Sequence, residues 1–208
     1  MSQNPYQSNP TLPESTSVPQ QKPGGLTAIA VICLILGSLG ALMALFGIAM
    51  LFFQGSMNQF QAAQPGGPPP EFLAEMEALQ ASQFIPTLIV NGCNVIIGSL
   101  LAIGSIGVLG TKEWGRNLLR NSLLAAIFFV LVRGIYGMWV QYSSMSAIGK
   151  MVPPGGEGAE TVEMAMQVGI IVGIVIGVAW MAVLIGFYIW SRSYLNKPPI
   201  RALFGAAN

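Results

Sequence analysis

Histidine is missing from this chain and charged side chains are scarce. No histidine occurs among the 208 residues, and Asp, Glu, Lys and Arg together make up 8% of them. Soluble domains carry roughly 25% charged residues, so this composition, with 53% hydrophobic residues, is typical of a membrane protein. Because histidine is the commonest metal ligand and the usual general base near neutral pH, its absence argues against an enzyme.

Carboxylates and prolines are also missing where a membrane transporter would use them. The long apolar stretches contain no Asp or Glu, so they offer no intramembrane carboxylate to relay protons or coordinate an ion. None of the 14 prolines falls inside these stretches, since Pro86 stands at the start of the second one. The commonest marker of the broken helices that form transporter substrate sites is therefore lacking.

Four apolar stretches dominate what is present, and we predict that each crosses a membrane as a helix. The predicted spans are residues 26–53, 85–110, 117–142 and 165–192. Each has the roughly 20 apolar residues needed to cross a hydrocarbon core of about 30 Å. They lack the alternation of barrel strands, so the predicted fold is all-α, an integral membrane four-helix bundle over residues 26–195.

The remaining segments are predicted to lie outside the membrane. Residues 1–25 are rich in Pro, Gln and Ser, which predicts a disordered cytoplasmic tail, and residues 196–208 form a second cytoplasmic tail. Residues 54–84 and 143–164 are predicted outer loops. Within the first loop, proline followed by acidic residues predicts an amphipathic helix over about 70–83.

The basic residues predict that both termini lie inside the cell. Placing the N-terminus inside puts seven of the nine on the cytoplasmic side: Lys22, Lys112, Arg116, Arg120, Arg192, Lys197 and Arg201. Only Lys150 then lies in an outer loop, while Arg133 lies within a span. This bias predicts an N-in, C-in topology.

The two outer loops resemble each other, which raises the alternative of an internal duplication. Each carries Ser-Met, then Pro-Gly-Gly, then an acidic segment with methionine, at offsets of 88 and 89 residues between the loops. A duplication would give two parallel helical-hairpin repeats related by an axis along the membrane normal. Short motifs rich in Gly and Pro also recur in unrelated loops, so both explanations stay open.

Two cytoplasmic motifs carry a family resemblance. A Trp-Gly-Arg turn at residues 114–116 follows span two, and a terminal Tyr-Leu…Pro…Arg-Ala-Leu-Phe ends the chain after span four. Together they resemble small uncharacterised four-span membrane proteins of bacteria. The resemblance implies a multi-pass protein of the bacterial cytoplasmic membrane, and it implies no activity.

Arg133 interrupts an apolar span, and it is the centre of the candidate site. An arginine at a span centre costs about 2.5–3.5 kcal/mol on insertion, so its charge needs polar groups nearby as hydrogen-bond partners. Asn91 and Asn94 lie at a similar depth on the antiparallel span two. We expect the side chain of Arg133 either to reach the outer interface or to form a hydrogen bond with one of these amides that stabilises the bundle. The alternative is an ion or substrate site formed by the three residues.

Small residues predict where helices pack. Gly169, Gly173 and Gly177 recur every four residues on one face of span four, and such ladders let backbones approach closely. The face is predicted to pack within the bundle or, as the alternative, against another copy.

No cofactor and no metal are predicted, although the methionines of the outer loops leave Cu(I) binding as an alternative to packing.

These observations predict a non-enzymatic, small tetraspan protein that acts as an accessory or scaffold subunit of a membrane complex. The alternative is a small channel or permease formed by oligomerisation, with Arg133 in a polar lumen. The predicted partners are membrane lipids, further copies of the chain or a larger membrane complex, and no nucleic acid is expected.

Overall fold

The structure, a computed structural model, describes residues 22–62, 70–149 and 159–205. The predicted disordered tail lies almost entirely outside these residues, and so do the Pro-Gly-Gly motifs of the two outer loops. Within the described residues all regular elements are helices: α1 Gly24–Ala62, α2 Pro70–Leu109, α3 Glu113–Gly149, α4 Ala159–Leu195 and α5 Pro198–Ala202. Four of these are long and apolar enough to cross a membrane, as predicted.

The long helices extend beyond the apolar stretches that predicted them. α1 continues from residue 53 to Ala62, and at 39 residues it is about 58 Å long. α2 is continuous from Pro70, so the amphipathic segment at 70–83 forms its first turns instead of a separate helix, and Pro86 lies inside it. Proline removes one backbone donor, but here the helix continues on both sides of it.

The helices pack mainly against their neighbours in the chain. α1 packs along α2, α2 along α3 and α3 along α4, whereas α1 and α4 contact each other much less. The α2–α3 turn is tight because a Cβ atom at Gly107 would lie 2.6 Å from the Cα of Gly115. Thr111 in this turn has a φ of 53°. The close approach explains why glycine stands in the Trp-Gly-Arg motif.

The buried core lies at one end of the bundle, near the α2–α3 turn and the two ends of the described chain. Its members come from all five helices and the segment that follows α5: Leu26, Ile29, Ala30, Cys33, Leu101, Val108, Leu119, Leu123, Ala126, Tyr188, Leu195, Ile200 and Phe204. α5 was not predicted, and it carries Ile200 into this core. At the opposite end the bundle opens, and the most apolar stretch of α4 contains no buried residue.

Candidate functional site

Arg133 lies in the open half of the bundle, in a crevice between α3 and α4. The crevice has a volume of about 350 Å³, and the Arg133 side chain is exposed in it. The other lining residues are mostly small or apolar: Val130, Gly134, Gly137, Met138, Gln141, Gly173, Ile174, Gly177, Val178, Trp180, Met181 and Leu184. The crevice therefore places one positive charge in a cleft whose other side chains are uncharged and mostly apolar.

Glycines create this crevice. Four of them line it, two on each helix, and they remove side chains that would otherwise fill the space between α3 and α4. A Cβ atom at Gly134 would lie 2.6 Å from the Met181 sulfur, so the helices touch there. Gly137 and Gly177 have nothing within 4 Å of an added Cβ atom. The crevice is thus closed at Gly134 and open around Gly137 and Gly177.

Arg133 has no hydrogen bond and no ion pair with any residue that the structure describes. Gln141 is the other lining residue with a polar side chain, and it lies two turns further along α3. Because arginine keeps its charge in proteins, a guanidinium in a largely apolar cleft needs a polar partner beyond the described residues, such as water, lipid headgroups or another polypeptide.

The two asparagines lie elsewhere, at the interface between α1 and α2. The Asn94 side chain donates a hydrogen bond of 3.2 Å to the backbone carbonyl of Gly40. The Asn91 amide nitrogen would be 3.2 Å from a Cβ atom at Gly47. Both glycines leave room on α1 for an amide. The structure therefore brings each asparagine against α1 and does not bring either to Arg133.

A polar contact that the sequence did not single out connects α2 to α3. The hydroxyl groups of Thr87 and Tyr136 are 2.7 Å apart and form a hydrogen bond. The Tyr136 ring also lies 5.9 Å from that of Trp139. Tyr136 stands one turn after Arg133, and Thr87 lies one turn before Asn91 on the antiparallel helix. Thr87 and Tyr136 therefore lie at the same depth on antiparallel helices, and the sequence could have indicated the pair in this way alone.

The predicted glycine ladder of α4 is largely uncovered. An added Cβ atom at Gly169 or Gly177 would meet nothing within 4 Å, whereas one at Gly173 would lie 2.8 Å from the side-chain nitrogen of Gln141. Gly173 therefore packs within the chain, against a flexible side chain. The other two glycines leave an open face that no described residue covers.

The methionines for which copper was an alternative fall mostly outside the described side chains. Met164 is described, and it is exposed at the start of α4. Copper binding by these residues stays a prediction.

Comparison with known proteins gives no match: no family model, no curated protein and no solved structure is similar to this chain.

Proposed function

We propose that this chain is a non-enzymatic integral membrane protein that serves as an accessory or scaffold subunit, by receiving a partner helix along the open α3–α4 face. The observation that carries the proposal is the pairing of an unsatisfied Arg133 with the uncovered Gly169 and Gly177 on the facing helix. The arginine requires a polar partner, and the glycines admit a second backbone.

Close packing is the main attraction available between helices in lipid, because lipid tails are as apolar as the side chains they would replace. The helices that line the unfilled crevice of about 350 Å³ lack these packing contacts. A partner helix in the crevice would restore them, and a carboxylate, a carbonyl or an amide oxygen on that helix would satisfy Arg133. Another copy of the chain or a subunit of a larger membrane complex could supply this partner helix.

The proposed setting is the cytoplasmic membrane of a bacterium, with both termini inside. The bias of the basic residues supports the orientation. The well-packed end of the bundle carries six of the nine basic residues within or next to its helix ends: Lys22, Lys112, Arg116, Arg192, Lys197 and Arg201. In this orientation the open crevice lies in the outer leaflet.

Site-directed photo-crosslinking in intact membranes tests the proposal. A photoactivatable side chain at Val178, which lines the crevice and already carries an exposed side chain, should form covalent adducts with a second polypeptide. The matched control is Ile176, which is exposed on the same helix but points about 200° away. Polypeptide adducts from both positions in equal yield, or lipid adducts alone from Val178, would overturn the proposal.

The alternative function is an oligomeric channel or permease, and the exposure of Arg133 towards Gln141 favours it as the second candidate. In that arrangement both side chains line a water-filled lumen between copies. An Arg133→Cys variant should then react rapidly with a small, charged thiol reagent in membranes. Under a partner helix the same cysteine is shielded, so the rate of modification separates the two functions.

A further inference from the structure

A second positively charged site lies at the packed end of the bundle, remote from the crevice. Arg116 stands in the first turn of α3 and is 95% buried, since its exposed fraction is 5%. Its guanidinium lies over the ring of Phe204, 5.9 Å from the ring centre. Its Nη2 donates a long hydrogen bond of 3.4 Å to the side chain of Asn117, and its buried Nε has no partner among the described residues.

The charges around Arg116 are mostly of the same sign. Arg120, one turn further along α3, and Arg201 of α5 both repel its guanidinium electrostatically, and Glu113 attracts it. Neither Glu113 nor any other acidic residue that the structure describes forms an ion pair with Arg116. Helix geometry places Arg120 one turn from Arg116, and the contact of Arg116 with Phe204 brings Arg201 to the same end of the bundle. These three arginines, with Glu113 as the nearby carboxylate, carry an excess of positive charge.

Packing holds these arginines together against their repulsion. The close approach of Gly115 to Gly107 fixes the start of α3 beside the end of α2. On the other side, α5 is docked by the buried side chains of Ile200 and Phe204. Arg201 lies between these two anchors. The chain thus brings like charges together at a cost, which indicates a counter-charge that none of the described residues supplies.

Further unsatisfied polar atoms lie at the same end of the bundle. The buried hydroxyl of Ser191 and the buried Nε of Arg192, both in the last turns of α4, have no hydrogen-bond partner among the described residues. Buried polar atoms in folded proteins nearly always have a hydrogen-bond partner. The Nε of Arg116 is a third such atom at this end of the bundle, and it is the one that lies within the arginine cluster.

We propose that Arg116, Arg120 and Arg201 bind the phosphate group of an anionic phospholipid. Guanidinium groups match phosphate oxygens in geometry and charge, and basic pockets between transmembrane helices on the cytoplasmic side bind anionic headgroups. A lipid is the source that this position favours, because Trp114 and Trp190 are exposed at this end and such aromatic side chains lie at the headgroup level.

This inference rests on membrane insertion of the four helices but not on a partner helix in the α3–α4 crevice. Occupation of the site would tie α3 to α5 through a shared anion. The C-terminal segment would then be attached to the bundle most firmly where anionic lipid is present.

Lipid binding to the full-length protein in detergent tests the inference. The probes are phosphatidylglycerol and phosphatidylcholine with the same acyl chains, each titrated and followed by native mass spectrometry and by the thermal unfolding midpoint. Phosphatidylglycerol should bind and stabilise, and phosphatidylcholine should do so at least tenfold more weakly. Arg120→Gln and Arg201→Gln should each weaken phosphatidylglycerol binding about tenfold or more, as expected for losing a charge-assisted hydrogen bond.

The matched control is Lys112→Gln, which removes the same charge from an exposed position at the same end and should leave the affinity within about twofold of the parent. Arg120 and Arg201 serve as test positions because replacing the buried Arg116 would also disturb its packing against Phe204. Inorganic phosphate separates the sources: a lipid site prefers phosphatidylglycerol over it. Equal affinity for inorganic phosphate overturns the lipid as the ligand. Equal binding of the two lipids, or equal loss in Lys112→Gln, overturns the arginine site.

Discussion

Gly37 and Gly98 hold the backbones of α1 and α2 in contact. A Cβ atom on either glycine would lie 2.6 Å from the carbonyl oxygen of the other. The contact is reciprocal, and the next neighbours on each side are a backbone nitrogen and a Cβ atom, so neither helix can move aside cheaply. Backbone thus lies against backbone at this point, and the contact sets the spacing of α1 and α2 at which Asn91 and Asn94 pack.

The first prediction concerns this contact. Gly98→Ala should lower the free energy of unfolding by about 1–3 kcal/mol, because the added methyl group overpacks a backbone interface. Gly92→Ala is the control on the same helix, since an added Cβ atom there meets nothing within 4 Å. Thermal unfolding in detergent should show a lower midpoint for Gly98→Ala alone. Equal midpoints for both variants would mean that the helices separate without cost.

The second prediction concerns the open ladder. Gly177→Leu should leave the unfolding midpoint of the isolated chain unchanged, because the added side chain enters open space. It should nevertheless abolish association with a partner, since a leucine fills the crevice that the partner helix would occupy. Size-exclusion chromatography and co-purification measure the association. A variant that keeps its full assembly size would show that the face meets only lipid.

Gly173→Leu should behave differently from Gly177→Leu. An added Cβ atom at Gly173 would lie 2.8 Å from the Gln141 side chain, so leucine there must displace a residue of the same chain. We expect a lower unfolding midpoint as well as weaker association, and thermal unfolding of the two variants side by side provides the comparison. Matching midpoints would indicate that Gln141 moves aside without loss.

The long helices were predictable from the sequence because an uninterrupted apolar stretch of more than 20 residues has few other stable states. Their ends were not, since the helices continue through polar segments such as 54–62, where hydropathy gives no signal. The contact between Gly37 and Gly98 could not be singled out either. The chain has 25 glycines, and hydrophobicity does not tell which of them faces another helix.

The candidate site was predictable only in part. Arg133 stands out in the sequence because a charge in a span is costly and rare. The residues around Arg133 could not be predicted. Position along the helix places Asn91 at the depth of Arg133, but it does not tell which side of α2 faces α3. Gly40 and Gly47 decide that rotation by making room for both asparagines on α1. α5 was not predicted because it is only five residues long. The sequence indicates it only by a pair of prolines followed by Ile200 and Phe204.

The next prediction concerns Arg133 itself. Arg133→Leu should insert into membranes at least as well as the parent, because a cost of about 2.5–3.5 kcal/mol disappears. The isolated chain should keep its unfolding midpoint, since Arg133 makes no hydrogen bond or ion pair among the described residues. Association with the partner should weaken, because the partner loses its polar contact. Insertion and co-purification, measured on the same membranes, separate these effects.

Two outcomes would contradict this account of Arg133. A lower unfolding midpoint for Arg133→Leu would mean that the guanidinium stabilises the isolated bundle. An unchanged yield of the associated partner would mean that the arginine faces headgroups or water instead of another helix. Arg133→Lys provides the control for charge alone, because lysine keeps the positive charge but lacks the planar fork that binds two acceptors at once.

The last prediction concerns orientation, on which the position of both charged sites depends. Single cysteines are placed in a background where Cys33 and Cys93 are alanine. A cysteine at Gly67 or Gly155 should react with an impermeant thiol reagent in intact cells, and one at Lys112 only after the membrane is opened. Lys112 is exposed in the α2–α3 turn, and it is preferable to Gly115, where an added Cβ atom would collide with Gly107. The expectation follows from the seven basic residues assigned to the inner side.

Reaction at Lys112 in intact cells, with none at the two glycine positions, would show that the protein has the opposite orientation in the membrane. The arginine cluster would then face the outer leaflet, and the crevice around Arg133 the inner one.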